Sequence, residues 1–392
     1  MHALHILQQH LRAGCARMHF KRLQALVACV NAALRVQRIT VTELGRALPS
    51  AAHPKHSIKR VDRLAGNTHL CRERLSIYTV ITRWLLAGTS RPVIVIDWSD
   101  LNPERSWQLL RAAVPVGGRT LTLYEEVHPL RRLANPHVHR AFLQQLKAIL
   151  PEHSVPIVVT DAGFRTPWFR AVSGLGWHWI GRIRNREYVR AEGSDDWIAG
   201  KSLYLKASAR ARALGRHALA RSSATPCQLF LVKRRRQGRI AKSVHGKPRR
   251  SAESLARARM NREPWLLATS TSLASLSAYE VVNIYAQRMQ IEEAFRDLKC
   301  TRYGLAFELH LSRQQQRVAA LLLIASLTLL VLWLVGTAAR EAGLQRHYQS
   351  NTREKRPVLS VFTLACLLLR HALTSDHGPC CSSTSHCHRL SL

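Results

Sequence analysis

This sequence is short of acid: 24 Asp and Glu stand against 59 Lys and Arg in 392 residues, a formal charge of +35 with His neutral. So large an excess repels itself and calls for a partner of opposite sign, nucleic acid or an anionic membrane surface, and the arginine-rich composition favours nucleic acid. A disulfide framework is also missing, since the nine cysteines are scattered through a long chain and read as reduced intracellular thiols. No leader-like start is present, because His2, His5, His10 and Arg12 interrupt the apolar residues. Internal repeats are absent as well. Only one long hydrophobic run occurs, Val318 to Ala339, long enough for a bilayer's roughly 30 Å core. It contains Ser326, Thr328 and Thr337, and its two flanks are equally basic (Arg313, Arg317; Arg340, Arg346), so no positive-inside asymmetry sets an orientation. A buried core helix in a cytoplasmic protein with no membrane partner is the expectation.

With 46% hydrophobic residues the chain can build cores, and its length suits two or three domains. Residues 1–85 read as helices. RLQALVACVNAALRVQ has helical period, ITVTELGRALPS offers Thr42 as an N-cap, and HSIKRVDRLAGN offers Ser57 as a cap and Gly66 as a stop. Lys59, Arg60 and Arg63 fall on the polar side of that last helix, with Ile58, Val61 and Leu64 inward. A short helix, a turn and a basic helix is the arrangement that lays a recognition helix in a DNA groove. Residues 1–90 hold 14 Lys and Arg against 3 Asp and Glu.

From Pro92 the texture turns to strands. PVIVIDWSD and VPIVVTDAGF are β-branched runs that each end in an acid, TLTLYEEVH lies between them, and HVHRAFLQQLKAILP is a helix before the second acid. The expected order is strand, strand, helix, strand, with GWHWIGRIR as a further strand. Residues 182–264 carry 22 Lys and Arg against 6 Asp and Glu, including Lys233, Arg234, Arg235 and Arg236. CQLFLV and WIAGKSLYL suggest short strands there, and KSVHGKPRRSAESLARAR a flexible basic loop. EPWLLATS is one more strand, and SAYEVVNIYAQRMQIEEAFRDLK one periodic helix.

Asp97, Asp161 and Glu292 are the candidate catalytic residues. Two acids at the ends of adjacent buried strands, with a third on a helix packed across them, repel one another. A pair of divalent cations about 3.5–4 Å apart relieves that repulsion and supplies what phosphodiester chemistry needs. Oxygen ligands suit Mg²⁺, with Mn²⁺ as the alternative. Taken singly, each acid reads equally as a turn or cap residue, with Asp100 and Glu293 as alternative neighbours. Tyr285, Arg288, Glu292 and Lys299 share one helical stripe, a carboxylate flanked by two cations and a phenol.

The spacing Y-x2-R-x3-E-x6-K in YAQRMQIEEAFRDLK resembles the YREK signature of DDE transposases of the insertion-sequence-four family. VIVIDWSD, VVTDAGF and EPWLLATS are similar to that family's segments around its two aspartates and closing strand, and TVTELGRALP and KHSIKRVDRLAGN extend the likeness toward the start. The resemblance implies an α/β fold: an RNase H-like core at 86–181 and 265–345, interrupted by a basic β-rich insertion at 182–264. An all-α DNA-binding domain at 1–85 precedes it, and a helical segment with an irregular tail at 346–392 follows. It implies that Asp97, Asp161 and Glu292 bind two Mg²⁺ or Mn²⁺ ions. Tyr285, Arg288 and Lys299 would hold DNA phosphates, and Trp265, or alternatively Trp98, would stack on a flipped base. Cut-and-paste movement through a hairpin on double-stranded DNA, in a homodimer on the bacterial nucleoid, is the implied activity; a decayed copy acting as a DNA-binding repressor is the rival. The tail departs from the family: TSDHGPCCSSTSHCHRLSL replaces a longer helical end, and the spacing of His377, Cys380, Cys381, His386, Cys387 and His388 matches no usual zinc site.

Overall fold

A computed structural model describes residues 2–184, 187–234, 251–252, 254–255, 263–302, 304–350 and 357–375. Arg235, Arg236, most of the basic loop and the His/Cys tail lie outside the described residues. The chain opens with α1 (His2–Gly14), α2 (Phe20–Val36), α3 (Val41–Ala47), α4 (Pro54–Ala65) and α5 (Thr68–Leu85). The cap of α3 is Thr40 rather than Thr42: its hydroxyl accepts from the Glu43 N–H at 3.1 Å. Helix α4 begins before Ser57, because Pro54, whose missing N–H costs nothing in a first turn, extends it back to a His53 cap. Ser57 is buried inside the helix instead. Gly45 lets α3 and α4 pack closely; a Cβ there would meet the Ile58 Cα at 2.4 Å. Val61 and Leu64 are buried, and Lys59, Arg60 and Arg63 are exposed.

The sheet follows, with β1 (Val93–Asp100), β2 (Trp107–Pro115), β3 (Thr120–Pro129), helix α6 (Pro136–Ile149), β4 (Ile157–Thr160), α7 (Thr166–Gly174) and β5 (His178–Ile183). Three strands, not two, precede α6. WQLLRAAVP carries Arg111 in its middle, which breaks the apolar run that marks a buried strand, yet Gln108 to Ala113 are all buried. Residues 188–232 add β6 (Tyr188–Ala191), β7 (Ile198–Ala199), β8 (Arg212–Leu219) and β9 (Thr225–Val232), and β10 is Trp265–Thr269. WIAGKSLYL yields only the two-residue β7 and a 3₁₀ turn at Gly200–Lys206. The strands form one sheet of order β3-β2-β1-β4-β5-β10-β9-β8-β6-β7. Within it β1, β4 and β5 run parallel, and the other pairs are antiparallel.

Next come α8 (Ala278–Ala286), α9 (Met289–Lys299), α10 (Gln315–Glu341), α11 (Gln345–Tyr348) and α12 (Val361–Ser375). Among the described residues α10 is the one helix long and apolar enough to cross a membrane, and here it is a core element. Every residue from Val318 to Leu332 is buried, with α1, α2, α4, α5, α12 and β3 packed around it. This is why its apolar residues surround the whole helix rather than one face.

The outer edge of β3 is closed by side chains. Thr82 Oγ1 donates to the Leu123 carbonyl at 2.9 Å, Arg74 Nη2 to Glu125 at 3.3 Å, and Gln315 Nε2 to Val127 at 2.6 Å. Alternate carbonyls of an edge strand, otherwise open to another chain, are thereby satisfied. Beneath α9 lies a buried ion pair, Arg111 to Glu125 at 2.6 Å, with both side chains essentially inaccessible. Tyr78 and Ser326 hydroxyls each donate to the other Glu125 oxygen at 2.8 Å, and the Arg111 guanidinium lies over the Phe295 ring of α9. Removing one partner of such a pair strands the other charge. Arg111→Met is therefore expected to lower unfolding stability by about 3–5 kcal/mol. Arg111→Met with Glu125→Leu should recover much of that loss, as read from urea midpoints.

Candidate active site

Parallel pairing of β1 with β4 aligns Ile96 with Thr160, so the next residues, Asp97 and Asp161, stand side by side. Asp97 is not at a strand end as its sequence suggests; β1 continues through Asp100, held by β2 after β4 has stopped. Its carboxylate accepts from the Trp98 N–H at 2.8 Å, and that of Asp161 from the Gly163 N–H at 2.7 Å. Gly163 permits this turn, since a Cβ there would lie 2.9 Å from Asp161 Oδ1.

The predicted single helix carrying the third acid is two. Between α8 and α9 the backbone tightens to i→i−3 hydrogen bonds, Gln287 to Ile284, Arg288 to Tyr285, and Gln290 to Gln287. Arg288 at this junction reaches both acids, Nη1 to Asp97 Oδ2 at 3.2 Å and Nη2 to Glu292 Oε1 at 2.5 Å. The β2–β3 hairpin holds α9 from the other side: Gly118 N donates to Gln290 Oε1 at 2.9 Å, and Arg119 pairs with the buried Asp297. At the far end of α9, Lys299 Nζ donates to Ser99 Oγ at 3.0 Å and to the Asp100 carbonyl at 3.2 Å, and burial lowers its pKa.

These elements enclose a cleft of about 660 Å³ whose walls include Asp97, Asp161, Glu292, Arg288, Lys299 and Trp98. Tyr285 is turned under it, buried, with its ring edge-on to Trp265 at 4.9 Å. Trp265 is also capped by the Arg234 guanidinium, while the Trp98 indole N–H donates to His139 at 3.0 Å. Lys59, Arg60 and Arg63 form no part of the cleft walls. Arg182 of β5 and Arg184 just beyond it are marked by no sequence motif as site residues; both are half-buried beside Tyr204, 3.9 and 3.6 Å from Glu263, and Arg182 also lies near Tyr285. Strand alternation in GRIR puts both on one face, the signal that could have found them.

Burial first, and the Asp161 carboxylate second, push Asp97 up to about 7, against the opposing pull of Arg288. The three acids supply only oxygen donors, a set that fits a hard divalent cation, and such an ion would relieve the repulsion between the adjacent Asp97 and Asp161 carboxylates. Among the described residues no three His, Cys, Asp or Glu side chains converge into a ligand cage, and Arg288 is interposed between Asp97 and Glu292.

Residues 88–331 match the family described as Transposase DDE domain, and the chain belongs to it. It is a DNA transposase of the DDE class, and the strand order β3-β2-β1-β4-β5 within the matched residues is consistent with an RNase H-like core. A piggyBac transposase, in a synaptic complex with hairpin DNA, is similar at 12% identity and a TM-score of 0.44, covering 92% of this chain and 72% of that one. No curated protein matches the sequence.

Because folded Asp97 holds its proton to about pH 7 and an unfolded one only to about 3.8, its contribution to stability is full below pH 4 and is lost as pH rises toward 7. With chelator present, Asp97→Asn should match wild type near pH 4 or below and exceed it at pH 8 by on the order of 2–4 kcal/mol in thermal or urea unfolding.

Proposed function

We propose that the chain is a cut-and-paste transposase of the insertion-sequence-four type, similar to the transposase of the Tn-ten element, acting on the terminal inverted repeats of its own element. The observation that carries this reading is the register that sets Asp97 beside Asp161 within a cleft also walled by Glu292, Arg288 and Lys299. Asp97, Asp161 and Glu292 are the residues that would hold two Mg²⁺ or Mn²⁺ ions. Held there, such ions would supply activation of the attacking oxygen and stabilisation of the leaving one.

The reaction is a series of in-line displacements at phosphorus: water cuts one strand, the freed 3′ hydroxyl attacks the opposite strand to form a hairpin, water reopens it, and the 3′ hydroxyl attacks target DNA. No side-chain nucleophile is needed, so one acid cluster serves every step. Arg288 and Lys299 grip phosphates on either side of the cut, and Tyr285 braces Trp265 from below. Half-buried Trp265, backed by Arg234, is the platform for the flipped base, with Trp98 as the alternative. Half-buried Arg182 adds positive charge near Tyr285, with Arg184 beside it. Exposed Lys59, Arg60 and Arg63 on α4 read or clamp the repeat, and the basic residues of the 182–264 insertion hold backbone by counterion release. The work is done in the cytoplasm on the bacterial nucleoid, by a homodimer that joins two ends and the target DNA.

Asp97→Asn, Asp161→Asn and Glu292→Gln should each keep end binding and lose Mg²⁺-dependent strand cleavage by about 10³-fold or more. Binding without any cleavage by the wild-type chain would instead identify a repressor. Replacing Lys59, Arg60 and Arg63 by Ala should flatten the log–log salt dependence of end binding by about 1 for each phosphate contact removed, measured by titration at several salt concentrations.

A further inference from the structure

One leucine beside the cleft stands in an unfavourable conformation with its side chain in solvent. After α9 the chain makes a 3₁₀ turn at Phe307–Leu309, bounded by two non-glycine residues in the left-handed region, Ala306 at φ 50° and Leu311 at φ 52°. That region is disfavoured for a residue with a Cβ, and more so for a bulky one. Strain of this kind persists only where the surroundings impose it, and it concentrates at functional sites.

Here the surroundings do impose it. Phe307 is fully buried, His310 nearly so, and their rings touch at 4.8 Å. Leu305 N donates to the Asp297 carbonyl of α9 at 2.8 Å, Ala306 N to Cys300 at 3.2 Å, and Ser312 N to His310 Nδ1 at 2.8 Å. Held this way, Leu311 is 87% exposed and Leu309 is 45% exposed. An aliphatic side chain gains nothing from water, and no packing among the described residues accounts for a rigid turn that presents one. The turn belongs to the cleft rim, since Cys300, Thr301 and Glu308 line the cleft. Exposed Arg302 and Arg313 flank it and match a phosphate backbone in sign.

We infer that Leu311 is a wedge that enters a base step of the bound DNA beside the cleavage site and unstacks it, with Leu309 as its shoulder. The inference rests on the DNA transposase reading of the same cleft. Apolar side chains inserted between base pairs kink a duplex and open the step they enter, and a step opened beside the cut frees a nucleotide for the acids to reach.

The test uses full-length protein and a duplex carrying the terminal repeat from the DNA that flanks the coding region, with thymines at the junction probed by permanganate in Ca²⁺ and cleavage followed in Mg²⁺. Wild type and Leu311→Met should make junction thymines reactive. Leu311→Gly, which relieves the backbone, should fold with equal or higher thermal midpoint and bind ends within about twofold, yet lose the reactivity and cleave on the order of tenfold or more slowly. A mismatch placed at the junction should restore its cleavage, a rescue that a structural role would not show. Unchanged reactivity and cleavage in Leu311→Gly would overturn the wedge, as would loss of dimeric assembly with reactivity unchanged, which would assign Leu311 to a protein contact. A wild-type chain that opens the junction without cutting would remove the transposase reading and leave the wedge standing.

Discussion

The pairing of β1 with β4 is the constraint on which the rest depends. Parallel neighbours bring successive residues of two distant segments to the same level, and matching Ile96 with Thr160 puts Asp97 and Asp161 shoulder to shoulder. Two carboxylates so placed cost free energy that burial increases, and much of the surrounding structure answers that cost. Arg288 reaches in from the junction of α8 and α9, the break in the helix gives it room, and the Arg119–Asp297 contact fixes α9 so that Glu292 faces the same cleft. One row further across the sheet, Arg111 is the register partner of Asp97 and in turn of Glu125, so a charged row continues into the core, closed by its own counterion.

Charge is segregated to match. The overall excess of basic residues lies mostly at the helical start and in residues 182–264, while the few acids include the cleft cluster. A surface that attracts phosphate everywhere would hold DNA without directing it. A local reversal of sign inside a basic protein gives the backbone one place where it must be met by an added cation or an arginine.

Much of this was legible in the residues. The two β-branched runs ending in acid gave β1 and β4, and the spacing of Arg288, Glu292 and Lys299 gave one cleft wall, with Tyr285 of the same stripe buried beneath it, because both patterns are local. What stayed hidden depends on the tertiary setting. Strand β2 was obscured by Arg111, whose charge is tolerable in a core only because Glu125, Tyr78 and Ser326 meet it there. At the helix break Arg288 meets acids 191 and 4 positions away, contacts that helical periodicity alone does not carry. Arg182 and Arg184 looked like generic basic residues until β5 was seated near Tyr285. Nothing in LHLS announces a left-handed leucine, which only the anchoring of Phe307 and His310 imposes.

The apolar helix α10 has one more consequence. It touches α4 and β3 alike, and Arg317 near its start pairs with Asp62 of α4 and donates to that residue's carbonyl at 3.3 Å. The basic helix and the sheet that carries the acidic cleft thus pack on a single buried axle. Under the proposed function such a mount would act as a fixed caliper: with α4 seated on a sequence, the cut would fall a set number of base pairs away. Precision at the end of an element would then come from the stiffness of a hydrophobic core rather than from any residue that reads the cleavage site itself.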